Sequence, residues 1–204
     1  MTATNRRPDA GRQRNDKEMP MNLASPSATV QRYTAPAVLL HWLIALLIFG
    51  LFPLGLYMSD LPLSPRKIEL VAWHKWLGVT VLLLALLRVL WRATHRAPPL
   101  PASVPQWQQR AAELLHGLLY LLILAIPLSG WALSSAAGVQ VVWWGVLPLP
   151  ELLPKDKALA HALVIVHATL NYTLAALVAM HVAAAIKHHV VDRDGVLLRM
   201  LPGK

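Results

Sequence analysis

Of the 204 residues, 56% are hydrophobic and 14% are charged, and the mean hydropathy is +0.47; an ordinary soluble domain of this length carries more charge. The absence of cysteine excludes disulfides, thiolate-held iron–sulfur clusters, thiolate zinc sites and covalent c-type haem, and leaves histidine as the main soft ligand. The formal charge of +9 lies between and beyond apolar blocks, which argues for contact with anionic lipid and against nucleic acid as a partner.

Residues 1–30 are polar and rich in Arg, Asn, Pro and Ser. With no apolar h-region they read as a disordered cytoplasmic tail, not a cleaved signal peptide, and Met21 is an alternative start. The remainder, 31–204, reads as one membrane domain with spans near 35–58, 68–92, 112–133 and 158–188. The first span rests on residues 33–59, which hold no charged side chain; Thr34 is a candidate cap and Pro36 fits the first turn. The second begins at Ser64-Pro65, yet its charge-free run, 76–87, is only twelve residues and alone would fit a buried soluble helix. Extension to 70–91 gives about 22 residues if Lys75 and Arg88 snorkel to opposite interfaces, with Trp73, Trp76 and Trp91 in the aromatic belts.

The third apolar block covers 114–133, where Pro127 predicts a bend and Gly130 a close approach. Residues 134–154, with Gly, Pro and the apolar cluster 141–144, read as a connecting loop that dips toward lipid. The last block, 158–186, has no Lys, Arg, Asp or Glu in 29 residues but carries His161, His167 and His181. The N-terminal tail, the 88–110 segment and the C-terminus together hold fourteen Lys and Arg, against five in the 60–75 and 155–157 regions. The positive-inside rule then puts both termini and the second-to-third loop in the cytoplasm. The expected fold is all-α, an integral membrane four-helix up-and-down bundle that buries polar rings between its helices.

His167 and His181 are fourteen residues apart, close to four helical turns, so both rings face nearly the same way with roughly 21 Å of rise between them. That separation suits two sites near opposite sides of a hydrocarbon core about 30 Å thick. Orientation supplies the partners. His41 lies near the cytoplasmic end of the first span, at the depth of His181; His74 lies near the external end of the second, at the depth of His167. Each pair can clamp one haem iron from both axial sides, so that iron changes oxidation state with little geometric change and no open site for oxygen.

The competing readings of an intramembrane histidine are a hydrogen bond to a neighbouring carbonyl, a polar cavity, or the proton path of a transporter or channel. Agreement of four histidines in depth and face weighs against these. Zinc is disfavoured because neither pair has a carboxylate to complete its set. His188, seven residues beyond His181, returns to nearly the same face, as a candidate for a haem propionate or quinone headgroup or as an ordinary interfacial residue. His116 divides between packing and a propionate contact, and Arg88 between a propionate partner and a positive-inside anchor. His161 faces away from His167 and is a candidate for proton exchange at the outer surface, whereas His189 faces solvent or lipid and His95 sits in a loop.

The chain resembles the bacterial cytochrome b561 family over about residues 31–202. The resemblance is carried by Arg32-Tyr33 before His41-Trp42, by Trp73-His74-Lys75 leading to Arg88, and by His116 ahead of Ile126-Pro127 and Gly130. It continues through His167, His181, His188-His189 and Leu197-Leu198-Arg199-Met200. It implies a multi-pass cytochrome of the bacterial inner membrane with two haem b, axial ligands at His41, His74, His167 and His181, and electron exchange with ubiquinone. Some members oxidise superoxide at the external face and pass the electron to ubiquinone, so the resemblance also implies an oxidoreductase with superoxide as a candidate substrate. Lys75, Arg66 and Lys67, with Lys155 and Lys157, are then candidates for an external basic surface that attracts the anion, diluted by Asp60, Glu69, Glu151 and Asp156. More distant relatives, the cytochrome b subunits of hydrogenases and formate dehydrogenases, carry the alternative. That is a haem-bearing membrane anchor linking a dehydrogenase or hydrogenase partner protein to the quinone pool.

Overall fold

The computed structural model describes residues 1–2, 32–95, 97–99 and 104–201; apart from its first two residues, the expected tail, Met21 included, lies outside them. Four helices dominate: α1 (Ala35–Asp60), α2 (Pro65–Thr94), α3 (Gln106–Ala136) and α4 (Lys157–Lys187). They hold 26, 30, 31 and 31 residues, so at about 1.5 Å per residue each exceeds a hydrocarbon core of about 30 Å. All four are apolar enough to cross a membrane. The fold is the all-α membrane bundle expected from the sequence.

Local chemistry sets the helix ends. Ser64 accepts from the Lys67 backbone N–H, with Pro65 in the first turn of α2. Asp156 caps α4 through the Ala158 and Leu159 N–H groups. Thr34 departs from expectation: its side chain makes no capping bond and instead accepts from the Trp91 indole at 2.9 Å, tying the start of α1 to the end of α2. The last turn of α3 closes with Gly138 at φ 72°, where the Gly138 and Val139 N–H groups reach the Ser135 and Ser134 carbonyls. That paired pattern satisfies carbonyls a helix end would otherwise orphan.

Helix α1 packs on α2, α2 on α3 and α3 on α4, while α1 and α4 leave a cleft between them that the Phe52–Tyr172 ring contact bridges at 5.9 Å. Ala85, Leu122, Ile123 and Leu174 form the closed core. Large apolar side chains face outward, among them Leu46 at 66% exposure and Leu90 at 64%, a surface suited to lipid and not to water.

At one end, between α3 and α4, strands β1 (Val142–Trp143) and β2 (Leu147–Pro148) pair antiparallel, with Val142 opposite Pro148 and Trp143 opposite Leu147. Trp144 and Gly145, at φ 52° and 71°, supply the two left-handed residues of a type I′ turn. The segment 134–154 thus folds as a hairpin braced on α2: the Trp76 indole donates to the Val142 carbonyl at 2.6 Å, and the Trp143 indole to the Trp76 carbonyl at 3.2 Å. At the other end the terminal segments meet. A 3-10 turn, Leu197–Met200, offers the Met200 carbonyl to the Trp42 indole at 2.7 Å, and the Tyr33 N–H reaches the Arg199 carbonyl at 3.3 Å. These two ends are called below the hairpin end and the termini end.

Candidate functional site

Each helix carries two polar or glycine positions fourteen residues apart: His41 and Gly55 on α1, His74 and Arg88 on α2, His116 and Gly130 on α3, His167 and His181 on α4. Fourteen residues return a side chain to nearly the same face, and because the helices alternate in direction the eight positions fall at two levels. Gly55, His74, Gly130 and His167 lie toward the hairpin end; His41, Arg88, His116 and His181 lie toward the termini end.

At the hairpin-end level the His74 and His167 ring centres are 6.4 Å apart. Each ring lies against a glycine of a neighbouring helix. A β-carbon on Gly55 would stand 3.3 Å from His74 Cε1, and one on Gly130 would stand 3.1 Å from His167 Cε1, so the two glycines are the notches that admit the rings. On the far side of His167 Nδ1 is the Ser129 hydroxyl, at 2.9 Å. Asn171 donates to the His167 carbonyl at 2.8 Å. The two rings line a cavity of about 690 Å³ whose walls are otherwise nearly all apolar, drawn from all four helices and from Val141.

At the termini-end level the His41 and His181 ring centres are 6.3 Å apart. His116 lies closer still to His181, at 5.3 Å. Arg88 donates to the Ala37 carbonyl at 2.6 Å, one turn before His41, and its guanidinium lies 5.7 Å from the centre of the Tyr120 ring, one turn beyond His116. Beside it is a small basic pocket of about 50 Å³ lined by Arg32, Arg88, Arg92 and His95, with Tyr33 and Tyr120 and no acidic side chain among its described residues.

These dimensions fit an iron between two imidazoles. A metal about 2 Å from each nitrogen, with roughly 1.1 Å more to each ring centre, sets the ring centres about 6.3 Å apart. His41–His181 and His74–His167 match that spacing, whereas His116–His181 is too short to admit a metal. The hairpin-end cavity also falls within the roughly 300–1,000 Å³ typical of cofactor sites, and its apolar walls suit a macrocycle.

The other expected positions are placed differently. Lys75, half-buried, lines the hairpin-end cavity beside His74. Arg66 is paired with Glu69 at 3.1 Å. Lys67 donates to the Ser59 and Leu61 carbonyls at 3.3 and 2.6 Å, closing the end of α1. Arg66 and Lys67 thus each have a local partner, while Lys155 and Lys157 are exposed. His188 directs Nδ1 to Asp194 at 2.5 Å and to Asp192 at 3.2 Å, in a π-helical turn (His188–Asp192) that ends α4, so that nitrogen is committed to carboxylates. His95 is the C-terminal cap of α2, stacked on Trp91 at 3.8 Å. His161 and His189 are exposed.

Ser129, Asn171 and Gly55 were not legible as site residues from chemistry alone. For Gly55 a signal exists: it stands fourteen residues after His41, the spacing already noted between His167 and His181.

Residues 32–203 match the protein family described as prokaryotic cytochrome b561. Cytochrome b561 homolog 2 of Escherichia coli (strain K12) is 35% identical over 178 residues, covering 85% of this chain and 93% of the relative. Cytochrome b561 homolog 1 of the same organism is 29% identical over 184 residues, covering 85% and 98%. A Yersinia pestis protein named probable superoxide oxidase CybB is 27% identical over 181 residues, with the same coverage of 85% and 98%.

Proposed function

The chain belongs to the prokaryotic cytochrome b561 family, and from that membership we propose that it carries electrons across the bacterial inner membrane through two b-type haems. As a family member with four membrane-crossing helices it is a multi-pass bacterial membrane protein. The observation that carries the proposal is the pair of imidazole pairs, His74–His167 and His41–His181, with ring centres 6.4 and 6.3 Å apart at levels roughly 21 Å apart along α4. His74 with His167, and His41 with His181, would hold the two haems, which would supply one-electron couples.

The chain's own residues define how each site is held. Gly55 and Gly130 leave space for the His74 and His167 rings, and the apolar cavity excludes water from them. Arg88, fixed on the Ala37 carbonyl, offers a cation to the carboxylates of the termini-end cofactor. His116, too close to His181 for a metal between them, packs against that ligand and is not itself one. The Lys and Arg distribution supports placing the termini end in the cytoplasm and the hairpin end outside.

In the finer reading, superoxide gives up one electron at the hairpin end and leaves as molecular oxygen. Two such electrons and two protons convert ubiquinone to ubiquinol. The name of the Yersinia pestis relative supports this chemistry, and so does Lys75, whose cation lines the cavity one residue from His74 and favours approach of an anion.

The test is direct. Protein purified in mild detergent, expressed with ample haem, is expected to show two low-spin b haems per chain by pyridine haemochrome and reduced-minus-oxidised spectra. Superoxide is then expected to reduce both haems, with reoxidation by added ubiquinone. A folded, colourless chain would end the haem reading; a coloured chain that ignores superoxide would end only the finer one.

A further inference from the structure

The two imidazoles of the hairpin-end pair are not equivalent. Ser129 precedes Gly130, the residue whose missing side chain makes room for His167. Its Oγ lies 2.8 Å from the Ile126 carbonyl oxygen and 2.9 Å from His167 Nδ1. A hydroxyl has one hydrogen to donate and lone pairs to accept with, and a carbonyl can only accept. The Ser129 hydrogen therefore goes to Ile126, and Oγ accepts the Nδ1–H of His167. With this assignment the proton is on Nδ1, directed at Ser129 Oγ with the Ile126 carbonyl beside it, and the free lone pair is on Nε2.

His74 has no such support. Its Nδ1 is sealed from solvent and has no hydrogen-bond partner among the described residues, with the position of a Gly55 β-carbon 3.9 Å away. An imidazole that donates its second N–H to an acceptor is a more basic ligand, and its ring orientation is fixed. One of the two ligands is thus strengthened and oriented, and the other is not.

We propose that Ser129 is the positioning residue of this site: by accepting the His167 Nδ1–H it holds Nε2 toward His74, strengthens His167 as a ligand, and lowers the reduction potential of the haem at this level. The inference rests on the bis-histidine reading given above. Stronger donation stabilises the oxidised iron more than the reduced, which sets the sign. Among the described residues no acceptor meets His74 Nδ1 to offset it.

The experiment is an optical redox titration of the full-length protein with Ser129→Ala, Ser129→Cys and Ser129→Thr. The hairpin-end component is identified beforehand as the one that disappears in His167→Ala. Ser129→Ala is expected to shift the reduction equilibrium of that component three- to tenfold toward the reduced form, where tenfold corresponds to 59 mV for one electron. The termini-end component should be unmoved. Ser129→Thr keeps the hydroxyl and is expected to restore the native potential. Ser129→Cys preserves shape while offering only a weak acceptor, so it should follow Ser129→Ala and serves as the readout should alanine cost the haem. Low-temperature spin-resonance signals of the same component should move with the potential.

Unchanged potential and spin signal in Ser129→Ala or Ser129→Cys, with haem content intact, would overturn the role of Ser129 and leave the haem assignment standing. Wild-type protein lacking a His167-dependent haem would instead overturn the bis-histidine reading, and this inference with it.

Discussion

Replacing Gly130 by alanine tests whether the notch beside His167 exists to seat a ligand. The added β-carbon would stand 3.1 Å from Cε1, 3.5 Å from Nδ1 and 3.8 Å from Nε2 of that ring. Carbon contacts settle at about 3.5–4.0 Å, so the ring must retreat by several tenths of an ångström. It cannot simply swing away, because Ser129 holds Nδ1 and Asn171 holds the His167 carbonyl. Overpacking of this kind costs about 1–3 kcal/mol, and the better helix propensity of alanine returns up to ~1 kcal/mol. A remaining penalty of ~1–2 kcal/mol weakens haem retention at this level by about five- to thirtyfold. The assay is the rate of haem transfer to apomyoglobin, followed as loss of the His167-dependent band. Gly50→Ala and Gly117→Ala serve as controls: nothing lies within 4 Å of a β-carbon at either position, so both should keep the native transfer rate. A Gly130→Ala protein with native transfer kinetics and spectra would refute the reasoning.

Three further outcomes follow from single contacts. Arg88→Gln replaces the cation that donates to the Ala37 carbonyl. A charged hydrogen bond is worth about 1.5–3 kcal/mol, so the termini-end haem should be preferentially depleted while the His167-dependent band persists in reduced spectra. Gly138→Ala forces a β-carbon onto a residue at φ 72° and to within 2.7 Å of Lys155 Cδ. The left-handed conformation alone costs about 1–2 kcal/mol, and a Tm lowered by roughly 2–8 °C in detergent is expected. Trp76→Phe removes the indole donor of the 2.6 Å bond to the Val142 carbonyl. With about 1 kcal/mol lost locally, faster amide exchange is expected across residues 140–149 with little change in global Tm.

The four helices were legible because a bilayer imposes a severe filter: long uncharged runs such as 158–186 have few other physical uses. The two histidine levels were legible for a related reason. A buried imidazole in such a run is costly enough to need a purpose, and the His167–His181 spacing converts directly into depth. Lys75 and Lys67 show what that logic leaves open. Charge near a helix end reads as surface, yet side-chain reach decides: Lys67 folds back onto the carbonyls ending α1, and Lys75 turns into the cavity wall. Composition contains no information about which neighbour is nearest.

The glycines were hidden for a different reason. A functional histidine announces itself by its chemistry; a functional glycine does so only by where it stands. Gly55 and Gly130 occupy, one level away, the faces that carry His41 and His116, so the bundle presents His41, Arg88, His116 and His181 at one level and two histidines with two glycines at the other. The fourteen-residue offset is present in all four helices and was available from numbering alone, but only the histidine pair on α4 made it visible. Once the offset is applied to every helix, Gly55 and Gly130 fall at the level of His74 and His167, each on the helix against which one of those rings is seated. Ser129 lies beyond even that rule. Its role depends on which way one hydroxyl hydrogen points, and that is fixed by the Ile126 carbonyl 2.8 Å away, a geometry no spacing in the sequence encodes.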